Sequence, residues 1–243
     1  LVGNPLALRR RKLAARPANT SRFLPHEHWA QVRETIQSLP MGTPRLARQA
    51  ARYRWLFSLL YIGGLRISEV CNNAMGDFYC RRGADGRERW WLQVRGKGEK
   101  SRVVPATDEL MSELMRYRKA NDLAPFPREG DALPLLLPII GVTRPMARSA
   151  VHELVKDVFR ETATRLRVLG PDHEAAAIHV ELASAHWMRH TAGTHQSDSM
   201  DLKAVRDNLG HANIATTRIY LHTEDDARHD QTSHAHKLGW SAC

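Results

Sequence analysis

The chain has 243 residues, with 36 Lys and Arg against 26 Asp and Glu, and so carries a formal charge of +10 at pH 7. Apolar residues make up 42% and charged residues 26%, which excludes wholesale disorder, while the length is enough to bury a real core. The basic excess points to a polyanionic partner, no run of apolar residues is long enough to span a bilayer, and Cys71, Cys80 and Cys243 are too few and too scattered for a disulfide framework or a zinc ribbon.

In chain order, residues 1–22 hold six basic residues (Arg9, Arg10, Arg11, Lys12, Arg16 and Arg22) and no acidic ones. They read as a basic linker or arm lying along a polyanion, or equally as a solvated tail. Leu rather than Met stands first, with Asn4-Pro5 close behind, as expected of a piece that begins inside a longer protein. No apolar run follows the basic stretch, so a signal peptide is not expected and the protein is expected to be soluble and cytoplasmic. From Pro25, Trp29, Val32, Ile36 and Leu39 recur at helical spacing up to Pro40. Thr43-Pro44 reads as an N-cap with proline at the first helical position. The helix behind it carries Trp55, Leu56, Leu59 and Leu60 inward and ends at Gly63-Gly64, and a short helix follows through Ile67 and Val70.

Residues 77–106 change to strand chemistry. Asp77–Arg82, Arg89–Arg95 and Lys100–Ala106 read as three short strands, joined by Gly83-Ala84-Asp85-Gly86 and Gly96-Lys97-Gly98-Glu99. Eight basic and three acidic residues fall in 81–102, so the sheet is cationic. Asp108–Asn121 reads as a helix, 122–142 as a loop with a minor strand, and Thr143-Arg144-Pro145 as the start of a helix with Val151, Leu154, Val155, Val158 and Leu166 on one face. A loop over 169–180, helices around Trp187, at Asp201–Leu209 and at Ile214–His222, and a mixed tail over 223–243 complete the chain. The expectation is an α+β fold, mainly α-helical, with one small three-stranded antiparallel sheet; without strand–helix alternation or GxGxxG it is not a dinucleotide-binding fold.

Four segments could carry chemistry. In Gly63-Gly64-Leu65-Arg66-Ile67-Ser68-Glu69, a forked guanidinium sits near a helix start, where an anion is already favoured, and Glu69 could orient it. Gly96-Lys97-Gly98 presents a lysine at a hairpin tip. In His186-Trp187-Met188-Arg189-His190, a proton acceptor and a phosphate-binding cation share one helical face at i and i+3. His186 and His190, at i and i+4, also allow a metal reading, but no carboxylate completes an HExxH pattern. His195, His234 and His236 read as surface histidines. Leu209-Gly210-His211 is followed by Tyr220 in Ile219-Tyr220-Leu221-His222. Singly, each has an ordinary explanation: an exposed Arg–Glu pair, a basic turn, a packed tyrosine.

In this order and spacing, however, the segments closely resemble the tyrosine recombinases, also called the phage integrase family, over roughly residues 21–223. The resemblance rests on the Gly-Gly-Leu-Arg-x-Ser-Glu box, the hairpin lysine, His-x-x-Arg, and Leu209-Gly-His-Ala-Asn-Ile-Ala-Thr-Thr-Arg-Ile-Tyr220. It implies that 23–243 is a catalytic domain and that an N-terminal core-binding domain would precede residue 1. It implies catalytic roles for Arg66, Lys97, His186, Arg189, His211 and Tyr220, with Glu69 and His190 in support. Tyr220 would form a 3′-phosphotyrosyl link to double-stranded DNA with His186 as the assisting base, and the cations would serve in place of a metal or other cofactor. Arg9, Arg10, Arg11, Lys12, Arg95, Lys100 and Arg102 would hold the duplex backbone. A homotetramer on paired DNA sites, serving integration or excision of a mobile element in the nucleoid, is the biological setting implied; type IB topoisomerase-like resealing, an inactive DNA-binding protein or a basic RNA-binding protein are the alternatives. One departure is Gln196-Ser197-Asp198-Ser199, where family members continue with apolar residues.

Overall fold

The structure is a computed structural model that describes residues 22–96, 101–209 and 221–240. Of the chemistry-bearing residues, Lys97, Lys100, His211, Tyr220 and the arm residues Arg9, Arg10, Arg11 and Lys12 lie outside the described set, as do residues 214–220 of the expected helix at 214–222.

The described residues form α1 (His26–Gln37), α2 (Pro44–Tyr61), α3 (Ile67–Asn72), β1 (Phe78–Arg82), β2 (Glu88–Arg95), β3 (Ser101–Ala106), α4 (Asp108–Ala120), α5 (Arg148–Val168), α6 (Glu174–Leu182), α7 (Ala185–Ser197), α8 (Leu202–Leu209) and α9 (Leu221–Ala235). This is the expected mainly helical fold with one small antiparallel sheet, in the order β1-β2-β3. Phe78 pairs with Leu92, and Leu92 with Val104, so each strand contributes to the buried face in register.

Local chemistry accounts for the helix starts. The Thr43 hydroxyl accepts from the Leu46 amide at 3.2 Å, with Pro44 at the first helical position. Thr107 caps α4 by accepting from Leu110, and the acidic Asp108 and Glu109 then meet the positive end of its dipole. The core centres on α2, whose Trp55, Leu56, Phe57, Leu59 and Leu60 are all fully buried. The indole nitrogen of Trp55 donates to the Leu135 carbonyl at 2.7 Å. Arg54 forms a forked, buried pair with Glu113 at 2.6 and 2.8 Å, the geometry in which a guanidinium and a carboxylate bind most strongly.

Four sequence expectations are corrected. The helix expected to start at Thr143-Arg144-Pro145 begins at Arg148 with Ala147 as its cap. The expected loop at 169–180 contains a 3₁₀ turn at Pro171–His173 and then α6, an Ala-rich segment good at forming helix without a strong periodic face. The expected mixed tail is helical to Ala235. His195 and His236, expected at the surface, are buried, because a polar network gives each a place inside. The Tyr61 hydroxyl lies 2.9 Å from His195 Nδ1, and His236 Nε2 lies 2.9 Å from the Tyr61 carbonyl.

Past His236 the chain packs onto its own core. Leu238 is fully buried, its amide and that of Gly239 donate to Glu109, and the Arg33 guanidinium donates to both carbonyls. Trp240 lies under the Arg54 guanidinium, 4.5 Å from it, close enough for the ring face to attract the cation.

Candidate active site

Three elements far apart in sequence build the site. Arg66 is the residue before α3, held in an extended conformation. Glu69, one turn on, reaches back to it as in a capping box. One carboxylate oxygen accepts the Arg66 amide at 2.8 Å and the other its guanidinium at 2.9 Å. Glu69 therefore contacts Arg66 through both carboxylate oxygens. Arg66 itself stays about half exposed.

The second element is α7. Its inward face carries Ala185, Met188, Arg189, Ala192, His195 and Gln196, all buried, so the polar Gln196 occupies an interior position. Two lysine hydrogen bonds set where α7 begins: Lys156 Nζ donates to the carbonyls of Glu181 and Ala183, closing the C-terminus of α6 just before Ser184. His186 and His190 stand exposed on the outer face, with their Nε2 atoms 2.9 Å apart.

The third element is the C-terminus of α8. Arg189 is 5% exposed and donates to the carbonyls of both Gly64 and Leu209. One guanidinium therefore staples the glycine-rich box to the start of the Leu-Gly-His box. Two glycines line this close approach. A Cβ on Gly64 would sit 2.7 Å from one Leu209 methyl, and a Cβ on Gly193 2.9 Å from the other. Gly64 also has φ +55, the left-handed region that glycine adopts without strain.

Arg102, expected to hold the duplex backbone, has another task. Its guanidinium forks onto both Glu69 oxygens at 2.5 and 2.9 Å, its Nε donates to the Asn208 carbonyl at 3.0 Å, and its side chain is nearly buried. On β3 it alternates with the buried Val104 and Ala106, so it faces inward. That alternation was the available signal that Arg102 had an internal partner. Arg95 does remain exposed, paired with Asp77 at 2.6 Å.

The electrostatics follow. Three arginines, 66, 102 and 189, surround one carboxylate. Burial works against ionised Glu69, yet the hydrogen bonds and charge of Arg102 and then Arg66 hold its carboxyl below the usual range. Arg189 is pushed down to about 10, first by burial and then by Arg66 and Arg102, with Glu69 only partly offsetting them. It remains protonated at neutral pH, but the cluster is short of negative charge. An incoming anion would supply it.

The space for that anion is present. A cavity of about 320 Å³ is lined in part by Arg66, Ser68, His152, Ser184, His186 and Arg189. A neighbouring cleft of about 420 Å³ shares Arg66, His186 and Arg189 and continues past His190, Thr194 and Arg206. The fold therefore brings Arg66, His186 and Arg189 to one groove. His152, Ser184 and Arg206 were not singled out by any sequence motif. Among the described residues no group of three or more His, Cys, Asp or Glu side chains is placed to hold a metal ion.

The chain also resembles known proteins. The sequence profile of the phage integrase family matches residues 30–227. Tyrosine recombinase XerD of Rickettsia prowazekii (strain Madrid E) is 30% identical over 175 residues, covering 72% of this chain and 52% of the relative. Tyrosine recombinase XerD of Rhizobium meliloti (strain 1021) is 28% identical over 192 residues, 79% of this chain and 53% of the relative. The chain thus spans about half the length of these relatives. Among solved structures, the XerH site-specific recombinase bound to difH substrate in a pre-cleavage complex superposes with a TM-score of 0.54 at 22% identity, over 85% of this chain and 54% of that one. The integrase from mycobacterium phage Brujita superposes with a TM-score of 0.56 at 19% identity, over 94% of this chain and 62% of that one. At these identities the structures speak for the fold, while the profile spans most of the chain: it belongs to the phage integrase family, the tyrosine recombinases.

Proposed function

We propose that residues 23–243 act as the catalytic domain of a site-specific DNA recombinase that cleaves and rejoins double-stranded DNA through a 3′-phosphotyrosyl intermediate. The observation that carries the reading is the shared groove of Arg66, His186 and Arg189, short of negative charge and open to solvent. A phosphodiester is the anion that a pair of forked guanidiniums suits.

In this mechanism the Tyr220 oxygen attacks phosphorus, the bond from phosphorus to the 5′-oxygen breaks, and a phosphotyrosine replaces the phosphodiester. The tyrosine proton passes to His186. A free tyrosine titrates near 10, so the attack needs both this base and the local positive field. Arg66 and Arg189 hold the non-bridging oxygens, where charge builds in the transition state. His211 donates to the same oxygens, and Lys97 returns a proton to the departing 5′-oxygen. Strand exchange follows when a second 5′-hydroxyl attacks the phosphotyrosine, so the bond energy is kept and no nucleotide cofactor enters. Four copies on paired DNA sites would exchange the strands, in the nucleoid, for integration or excision of a mobile element.

The test is a nicked suicide substrate that loses the 5′-hydroxyl after cleavage and so traps the adduct. The chain should form a covalent complex, and Tyr220→Phe should form none while still binding the DNA. A covalent complex that survives in Tyr220→Phe defeats the assignment.

A further inference from the structure

Arg206 lines the groove, and the chemistry proposed above gives it no task. It stands on α8, one turn before Leu209, whose carbonyl receives the Arg189 guanidinium. Val205 and Leu209 are buried in a small cluster with Met200 and Ala204, so packing holds the helix that carries Arg206. Its side chain is held loosely. Its hydrogen bonds run to Asp207, the next residue, at 3.4 and 3.5 Å, the far limit for such bonds. The two side chains are 39% and 40% exposed, where an ion pair contributes little. Arg102, by contrast, is nearly buried and forks onto Glu69 at 2.5 and 2.9 Å. The cleft of about 420 Å³ that Arg206 lines opens from Arg66, His186 and Arg189, as does the cavity that holds His152 and Ser184. Among the described residues, the cleft is lined by Arg66, Arg189 and Arg206 and by no carboxylate, so it fits an anion. The His152 cavity adds no guanidinium to Arg66 and Arg189. Positive charge therefore continues from the shared arginines towards Arg206.

We propose that Arg206 binds the phosphate next to the scissile one and thereby positions the strand across Arg66 and Arg189. This rests on the recombinase reading. A DNA strand carries one negative charge per nucleotide, so a phosphate held by Arg66 and Arg189 has a charged neighbour on each side. A single clamped phosphate leaves the strand free to pivot about it. A second contact one nucleotide away fixes the path of the strand, and with it the line of attack on phosphorus. The exchange favours the phosphate, because a weak exposed pair with Asp207 gives way to a charge-assisted bond in a groove short of negative charge. Arg206 touches the substrate away from the reacting atoms and is a positioning residue.

The test pairs a protein change with a DNA change. The nicked suicide substrate is made with the phosphate on one side of the scissile bond, and then the other, replaced by an uncharged methylphosphonate. Adduct formation at saturating DNA is timed for the whole chain and for Arg206→Gln and Arg206→Ala, the first of which keeps a good helix former at the position. On unmodified DNA either variant should react about 10-fold more slowly, the scale of losing one hydrogen bond to a charged group. In the unsubstituted chain, one of the two methylphosphonates should cost about as much. At that position the two losses should not multiply, because the second change removes a contact already gone. A loss of packing alone would multiply with either methylphosphonate, to about 100-fold. Variants at the unsubstituted rate, a chain indifferent to both methylphosphonates, or losses that multiply at both positions overturn the proposal. If the unsubstituted chain forms no adduct on unmodified DNA, the recombinase reading fails. The same cycle read in equilibrium DNA binding then decides the Arg206 contact: losses that do not multiply support it, and losses that multiply at both positions overturn it.

Discussion

Arg89 and Arg189 are equally buried, each 5% exposed, yet their surroundings push them in opposite directions. Arg89 lies on β2 between two carboxylates. It forks onto Asp85 in the β1–β2 turn at 2.7 and 2.9 Å and onto Asp230 in α9 at 3.1 and 2.9 Å. The hydrogen bonds it donates to Asp85 and then to Asp230 raise its pKa above the ordinary arginine value. Arg189 finds two carbonyl oxygens, two more arginines and a single carboxylate already taken by Arg102, and its pKa falls to about 10. The first arrangement is electrically complete and fastens a helix to a sheet. The second places Arg189 on two carbonyls and leaves it short of negative charge, which suits it to a ligand that brings negative charge.

The comparison can be broken most severely at Arg189. Arg189→Ala is expected to lower the rate of covalent complex formation by about 100- to 1,000-fold, the scale of losing one transition-state donor. Arg189→Lys should not restore it, because one ammonium cannot span the Gly64 and Leu209 carbonyls while facing a phosphate. Single-turnover kinetics on the nicked substrate measure both, and a lysine variant at wild-type rate would refute the stapling role.

Glu69 comes next, and its effect is on stability. Glu69→Ala leaves Arg102 nearly buried without its partner, which costs on the order of 3–5 kcal/mol in urea unfolding. Arg89→Met should cost less, about 1–3 kcal/mol, since its aspartates are nearly half exposed and water can take them over. The sharper contrast lies in activity. At a temperature where both variants are folded, Arg89→Met should keep the cleavage rate within about threefold while Glu69→Ala loses more than that, because only Glu69 holds a residue of the groove. Equal losses in the two variants would erase the distinction between fastener and site.

The smallest effect at neutral pH, and the most selective, comes from the buried histidines, which follow the Arg189 pattern: burial outweighs what nearby carboxylates return. Burial, followed by the neighbouring His26, pushes His195 down to about 4. Burial also pushes His236 down to about 4. Their folded values lie below the unfolded one near 6.5, so between about 4 and 6.5 the unfolded chain binds more protons. Stability should be level above that window and fall as pH drops through it. His28 and His229, lowered first by burial, act in the same sense. Urea midpoints from about pH 7.5 to about 4.5 would show the slope, and His236→Phe should flatten it; an unchanged slope would mean that the buried tail histidine does not titrate with unfolding.

How much was legible beforehand differs from element to element. Thr43-Pro44 announced its helix because capping is a local matter, settled by neighbours in the chain. The strands were legible for the same reason, apart from a residue at their ends. Helix α6 was missed because its alanines carry no periodic face, and His195 and His236 were misplaced because a histidine's burial depends on partners from other elements. Arg102 was assigned to the duplex because its charge was visible and its partner was not: Glu69 lies 33 residues away in sequence and 2.5 Å away in space.

The sequence by itself determined the inventory of this protein: a cationic chain, a small sheet among helices, and ordered boxes that marked its family. Spacing and composition suffice for these because they arise from short-range chemistry. Only the tertiary structure decided which cations are spent and which remain available. It set Arg89 between two aspartates, gave Glu69 to Arg102 as well as to Arg66, and pressed Leu209 against Gly64 and Gly193 so that Arg189 could close across them. Charge neutralisation depends on distance in space, and distance in space is set by packing.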